Sequence, residues 1–247
     1  MIVVIGSPVG RLDDDVVVAG GSGSRVALAA AQRGRTVQLV GVTGDDPTAD
    51  GVILDLARGG VGHVALLRDS ARATPLEATT PDAVDGPEAD DDPDQADASP
   101  PSTPPGPVLE AADVELGLRY LTDFAVVILA EPSDHATIGV VADATRWGEA
   151  RMVLVVPAGQ TVPDGLPRDV VVFEAPLFDP DGAFADLVGA FAASLDEGTE
   201  PGAAFRSSIA SDGWTEAAAP DSVSGGASGT MSSGPSRRTS LTKRSTA

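Results

Sequence analysis

Hydrophobic positions fall along this chain in two alternating rhythms. Ile2-Val3-Val4-Ile5 is a continuous β-branched run stopped by Gly6-Ser7-Pro8, which predicts a buried strand. Val16-Val17-Val18 predicts a weaker second strand, and further apolar runs predict strands over 36–42, 63–67, 124–129, 152–156 and 170–173. Helical spacing lies between them. Residues 24–33 are Ala-rich, follow a glycine cluster and end at Gly34. Residues 47–58 carry Val52, Ile53, Leu54 and Leu56 and stop at Gly59-Gly60. Helices are also predicted over 111–121, over 133–147 with Ser133 as cap, over 181–195 and over 201–209. Phe184, Leu187, Val188, Phe191 and Leu195 share one side of the 181–195 helix. Apolar strands alternating with helices of this length predict parallel βαβ units. The expected fold is a three-layer α/β/α sandwich with a mostly parallel sheet.

Two stretches do not fit this pattern. Residues 81–107 hold eight Pro and eight acidic residues, no basic residue, and Val84 as the sole large aliphatic side chain. Such a segment cannot bury enough apolar surface to offset roughly 1–2 kcal/mol of ordering entropy per residue. It is expected to be a disordered acidic insert. The sharper alternative is an acidic docking arm or a cation-binding run at Asp90-Asp91-Asp92. Residues 222–247 hold eight Ser, four Thr and four Gly, and are expected to be a disordered tail. Residues 1–80 and 108–221 then form one α/β domain.

Charge and composition narrow the function. The chain of 247 residues carries a net charge of −21. That argues against nucleic acid and against an anionic membrane as partners. No cysteine and only two histidines, His63 and His135, exclude thiolate metal sites and a histidine-rich one. No run of ~20 apolar residues offers a spanning helix. The opening MIVVIG has no basic flank of a signal peptide, so the expected location is cytoplasmic.

The glycine cluster Gly20-Gly21-Ser22-Gly23 stands before the first predicted helix. It is read either as a tight turn with a cap or as a place where backbone approaches a ligand closely. A dinucleotide fingerprint fails, because its third glycine falls on Val26 and no acidic residue ends the next strand. No Walker-type phosphate loop is present.

The order of these pieces resembles the ribokinase-like (PfkB) carbohydrate kinases. GGSGSRVALAAAQRGRTVQLVGVTGDD is similar to the family's amino-terminal signature at Gly20, Gly21, Gly23, Ala27, Gly34, Gly41, Gly44, Asp45 and Asp46. Gly60-Val61 and Thr74-Pro75 follow its order. Glu131-Pro132 resembles the pair that ends a middle strand, and LFDPDGAFADLVGAFAASLDEG resembles the segment that opens the catalytic helix. The resemblance implies a ribokinase-like fold, truncated here. It implies ATP and Mg as cofactors and a small sugar or nucleoside as ligand, and it admits a homodimer. It implies ligand contacts at Gly20, Gly21, Gly23, Arg25 and Glu131, and a phosphate site at Gly182 and Ala183 at the start of a helix.

The departures sit where the chemistry would be. The family's second glycine becomes Phe184, whose side chain is expected to crowd the phosphate amides, and its base aspartate becomes Ala185. Asp186 is one residue along, about 100° around a helix, and Asp181 precedes the turn. Arg25 replaces an asparagine, Val9-Gly10-Arg11 replaces polar substrate contacts, and only residues 7–19 are available for a substrate lid. Few residues separate Pro157-Ala158 from the last long helix, so part of a nucleotide half is expected to be missing. Three readings follow: a catalytically degenerate member that retains ligand binding, an active kinase using Asp186 or Asp181, and a non-enzymatic α/β binding or scaffolding domain. Replacing residues 81–107 with a short Gly/Ser linker is expected to leave the melting midpoint within about 5 °C of the parent. Thermal melts of the two proteins check this, and a larger fall would show that the insert packs.

Overall fold

The structure, a computed structural model, describes residues 1–77, 105–179, 181–212, 214–216, 238–239 and 241–243. Most of the 81–107 insert and most of the 222–247 tail lie outside the described residues. Eight strands, β1 (Ile2–Ile5), β2 (Val9–Asp13), β3 (Val16–Gly20), β4 (Val37–Gly44), β5 (Val61–Asp69), β6 (Val126–Leu129), β7 (Arg151–Pro157) and β8 (Val171–Ala175), alternate with six helices. The helices are α1 (Gly21–Gln32), α2 (Pro47–Arg58), α3 (Ala111–Tyr120), α4 (His135–Trp147), α5 (Ala183–Asp196) and α6 (Pro201–Asp212). Three short strands follow: β9 (Trp214–Glu216), β10 (Arg238–Thr239) and β11 (Leu241–Lys243). Two of these fall within the expected tail.

The main sheet has the order β10-β8-β7-β6-β1-β4-β5, and every pairing in it is parallel. The predicted α/β/α arrangement is therefore present. From β1 the chain steps outward through β4 to β5, then returns to β6 on the other side of β1 and steps outward through β7 to β8. The reversal between β1 and β6 opens a crevice at their carboxyl ends, where open α/β sheets bind ligands.

Strand alternation feeds two cores. Ile2 and Val4 face a layer made by α1, α2, α5 and α6, whereas Val3 and Ile5 face α3 and α4. Four phenylalanines lock the first layer. Phe173 of β8 meets Phe191 edge-on at 5.1 Å and Phe184 at 6.4 Å, both on α5, and Phe205 of α6 at 6.1 Å. At the opposite end of α5, the buried Asp196 carboxylate accepts from Arg35 at 2.6 Å and 2.8 Å and from the Met1 amino group at 2.7 Å. Burial alone would raise the Asp196 carboxyl; these two cations hold it below its ordinary range.

Several boundaries differ from the sequence reading for local physical reasons. Residues 7–19 hold a strand pair, where a single weak strand is predicted. β2 and β3 form an antiparallel hairpin, turned at Asp14-Asp15 with φ of 45° and 65°. That turn lacks the Asn-Gly or Asp-Gly signal such turns usually carry. α1 begins at Gly21 rather than residue 24, so its glycines form the first helical turn instead of preceding it. α4 is capped by Asp134, which accepts from the Thr137 amide at 2.7 Å, while Ser133 bonds back to the Glu131 carbonyl. α5 begins at Ala183 because Gly182 has φ +69°, outside helical space.

Gly189 sets how closely α1 and α5 pack: a Cβ there would lie 2.7 Å from the Ala29 Cβ and 2.9 Å from the Ala30 amide nitrogen. Gly189→Ala is expected to destabilise by about 1–2 kcal/mol, because overpacking outweighs the helix propensity gained. Gly139→Ala on α4 meets nothing within 4 Å and is expected to stabilise by up to about 1 kcal/mol. Urea denaturation of the two variants checks the contrast in sign.

Candidate functional site

The carboxyl ends of β1 and β6 carry Gly6-Ser7 and Glu131. Gly6 is enclosed on three sides. A Cβ on Gly23 would stand 3.2 Å from the Gly6 Cα, one on Gly41 would fall on the Gly6 carbonyl oxygen, and one on Gly6 would lie 3.1 Å from the Glu131 carboxyl carbon. The motif glycines Gly23 and Gly41 are thus explained by backbone packing onto β1. The Glu131 carboxylate accepts from the Ser7 amide at 3.0 Å. Burial pushes this carboxyl up to about 7, with the Ser7 hydrogen bond pulling weakly the other way.

The other motif residues meet a partner that their spacing does not reveal. Asp46 caps α2 through the Ala49 amide at 2.8 Å and also accepts from the Thr74 amide at 2.6 Å. Although burial opposes it, these amides hold the Asp46 carboxyl below its ordinary range. Thr74 in turn accepts from the Gly44 amide through its hydroxyl at 2.9 Å. Residues 74–77 then run beside β2, with Gly10 donating to the Pro75 carbonyl and Glu77 donating to the Gly10 carbonyl. That path delivers Glu77 onto the glycine loop. Its Oε1 accepts from the Gly21 amide at 2.7 Å, and a Cβ on Gly20 would lie 2.8 Å from the same oxygen. Gly21, at φ +82°, needs a glycine for its backbone as well.

Arg25 spans the gap from α1 to the start of α5. Its Nη2 donates to Glu77 Oε2 at 2.7 Å, and its Nη1 donates to the Asp179 carbonyl at 3.2 Å. The Asp179 carboxylate itself accepts from the Phe184 and Ala185 amides at 3.1 Å and 3.4 Å. The helix end that resembles a phosphate site therefore already holds a carboxylate of the same chain. Gly182 is the residue before α5 and Ala183 its first residue.

Phe184 does not crowd these amides, contrary to the sequence expectation. It is 4 % exposed and packs on Phe173 in the core. Ala185, at the position matched to the base, also faces the core at 4 % exposure. Asp181 and Asp186 line a cleft of about 280 Å³ with Gly182, Ala185, Arg25, Arg11 and Asp55. Glu131 does not line that cleft, so the proposed ligand and catalytic residues fall into two neighbouring groups.

The sequence reading does not single out Glu77, Asp179 or Ser7 as site residues. Glu77 finds Arg25 across 52 residues, and nothing local marks it. Asp179, in an Asp-Pro-Asp-Gly run just ahead of a helix, did carry a signal, because acidic residues favour helix starts. Among the described residues no group of three or more His, Asp or Glu side chains is arranged to hold a metal ion, and no helix is long and apolar enough to cross a membrane. A magnesium ion delivered with ATP takes much of its shell from phosphate and water. The α5 amides beside the phosphate site that the resemblance implies already donate to the Asp179 carboxylate.

No protein-family model and no curated protein matches the chain. Solved structures do. An Arabidopsis thaliana ribokinase complexed with ribose and ATP is 15% identical, with a TM-score of 0.57 over 85% of this chain and 90% of that one. An aminoimidazole riboside kinase from Salmonella enterica, complexed with aminoimidazole riboside and an ATP analogue, is 12% identical, with a TM-score of 0.56 over 85% and 90%. A PfkB protein from Polaromonas sp. JS666 is 14% identical, with a TM-score of 0.54 over 84% and 92%. The fold of this chain is ribokinase-like.

Glu131 gives the site a pH signature. The folded carboxyl keeps its proton up to about 7, whereas the ordinary value is 4.5. Its contribution to stability is complete below the lower value and is lost as pH rises through the upper one. Glu131→Gln removes that loss, which is on the order of 2 kcal/mol for a buried carboxyl. The melting midpoint of Glu131→Gln minus that of the parent is expected to rise by about 4 °C between pH 5 and pH 8. A difference independent of pH would show that Glu131 stays ionised throughout.

Proposed function

We propose that this chain is a ribokinase-like protein that binds a small sugar or nucleoside at the carboxyl-end crevice and has lost most or all phosphotransferase activity. The observation that carries this reading is the Asp179 carboxylate on the Phe184 and Ala185 amides. Phosphoryl transfer needs an anion site, a metal and a base in register. Here a carboxylate of the chain stands at the amides a phosphate would use, and Ala185, which lines the cleft, provides no base. A positioned base is worth about 10²–10⁴-fold. A missing oxyanion donor costs about 10²–10³-fold, and the two losses need not multiply.

Ligand binding has support in the same place. The crevice is the switch point of the sheet, and it presents Ser7 and a Glu131 carboxyl that is half protonated near neutrality. Such a group can donate to, or accept from, a ligand hydroxyl. The reading keeps the chain cytoplasmic and treats ATP and Mg as cofactors of its structural neighbours that it no longer uses efficiently.

Asp186 favours a second reading. It lines the cleft beside Arg25, Asp181 and Ala185, and it brings the carboxylate that Ala185 lacks. An active kinase would use Asp186 as base after Asp179 leaves the α5 amides. ADP release measured over a panel of sugars and nucleosides with ATP and Mg separates the two. No release above blank is expected from the parent, together with a rise in melting midpoint for at least one sugar or nucleoside that Glu131→Ala removes. Robust parent turnover abolished by Asp186→Asn would overturn the proposal and establish the second reading.

A further inference from the structure

A second cavity lies at the other end of the sheet, away from Glu131 and the glycine loop. It measures about 610 Å³ and opens where α4 ends and β7 begins, beside residues 166–169 that lead into β8. This size suits one small molecule. Its floor is apolar, from the buried Met152 and the half-buried Leu166.

The walls gather three arginines beside two carboxylates, Glu149 and Asp169, a higher share of cations than in the rest of the chain. Asp and Glu number 37 against 16 Lys and Arg, yet Arg146, Arg151 and Arg168 line this one cavity from three separate segments. Arg146 is paired with Asp143 at 2.6 Å, and both side chains are largely exposed. Arg151 meets Asp169 at 3.5 Å, also in solvent. Exposed pairs of this kind contribute little and release their partners readily. Arg168 makes no hydrogen bond or ion pair with any described residue. Guanidinium forks match the oxygens of a phosphate with two parallel hydrogen bonds, which a neutral ligand cannot reward.

We propose that this cavity is a second ligand site, which binds a small phosphate-bearing molecule. Glu149, also in the lining, carries a carboxylate that can accept from a hydroxyl of such a molecule. A polyanion such as nucleic acid is a poor fit, because any length extending past the cavity meets a strongly negative surface. The proposal does not rest on the sugar or nucleoside reading, since no residue of the carboxyl-end crevice takes part.

Inorganic phosphate is the probe. Its ³¹P line width and the melting midpoint of the full chain are followed during titration at constant ionic strength, with chloride as the balancing anion. Saturable broadening and a saturable rise in midpoint are expected. Arg168→Gln loses no bond to a described residue, so it is expected to melt like the parent while binding phosphate at least about tenfold more weakly. Arg151→Gln is expected to weaken binding as well, and Arg25→Gln, in the other cleft, to leave it unchanged. A response that never saturates, or one that is equal in the parent and in Arg168→Gln, would overturn the proposal. Loss of binding in Arg25→Gln with retention in Arg168→Gln would overturn it too, by moving the phosphate to the α1–α5 cleft.

Discussion

The functional end of this molecule depends on the backbone of Gly6. Its amide donates to the Val40 carbonyl, its Cα is covered by Gly23 of α1, its carbonyl by Gly41 of β4, and the Glu131 carboxyl lies against its other side. Three chain segments meet there without side chains between them. Any Cβ at these positions must displace backbone or a buried carboxyl, so glycine is required by close approach. This contact pulls the start of α1 down onto the end of β1. It also fixes where Gly21 and Arg25 stand, and hence which groups can reach them.

What reaches them is the chain itself. An amide at the start of α1 and two amides at the start of α5 have no partner within their own helices. Glu77 takes the first, Asp179 takes the others, and Arg25 ties the two together. Each contact is a charge-assisted hydrogen bond in a partly buried setting, stronger than a neutral one. A ligand competing for either place must displace an intramolecular carboxylate that loses little entropy by binding. The consequence is a site biased toward its closed, self-satisfied state, with Glu131 as the acidic group of the crevice whose proton is exchangeable near neutral pH.

Much of the fold was legible because its signals are local. The β-branched runs gave the strands, and the helix stops at Gly34 and Gly59 follow from ordinary chain chemistry. The hairpin was not legible, because Asp14-Asp15 adopts positive φ without a glycine. The site was legible only in part. Gly20, Gly21, Gly23, Arg25 and Glu131 do gather at the carboxyl end, but their partners Glu77 and Asp179 are joined through hydrogen bonds spanning 52 and 154 residues. Such pairings are set by topology, and no periodicity encodes them. Phe184 misled for a related reason: its place beside the helix start suggested an obstruction, while the amphipathic face of α5 had already committed it to the core.

That commitment constrains which side chains of α5 reach the cleft. The rotation of α5 is fixed by Phe184, Leu187, Val188 and Phe191, which are all buried, and by Gly189 against Ala29. Position 185 already borders the cleft beside Arg25 and Asp181, although Ala185 is only 4 % exposed. An aspartate there would have to direct its carboxylate into the cleft, because burying it unpaired among apolar side chains is costly. Position 186 carries the carboxylate that the first turn of α5 already presents to the same cleft. On the proposed reading, chemistry at this helix would need a base at one of these two positions together with release of the Asp179 carboxylate from the amides in front of it.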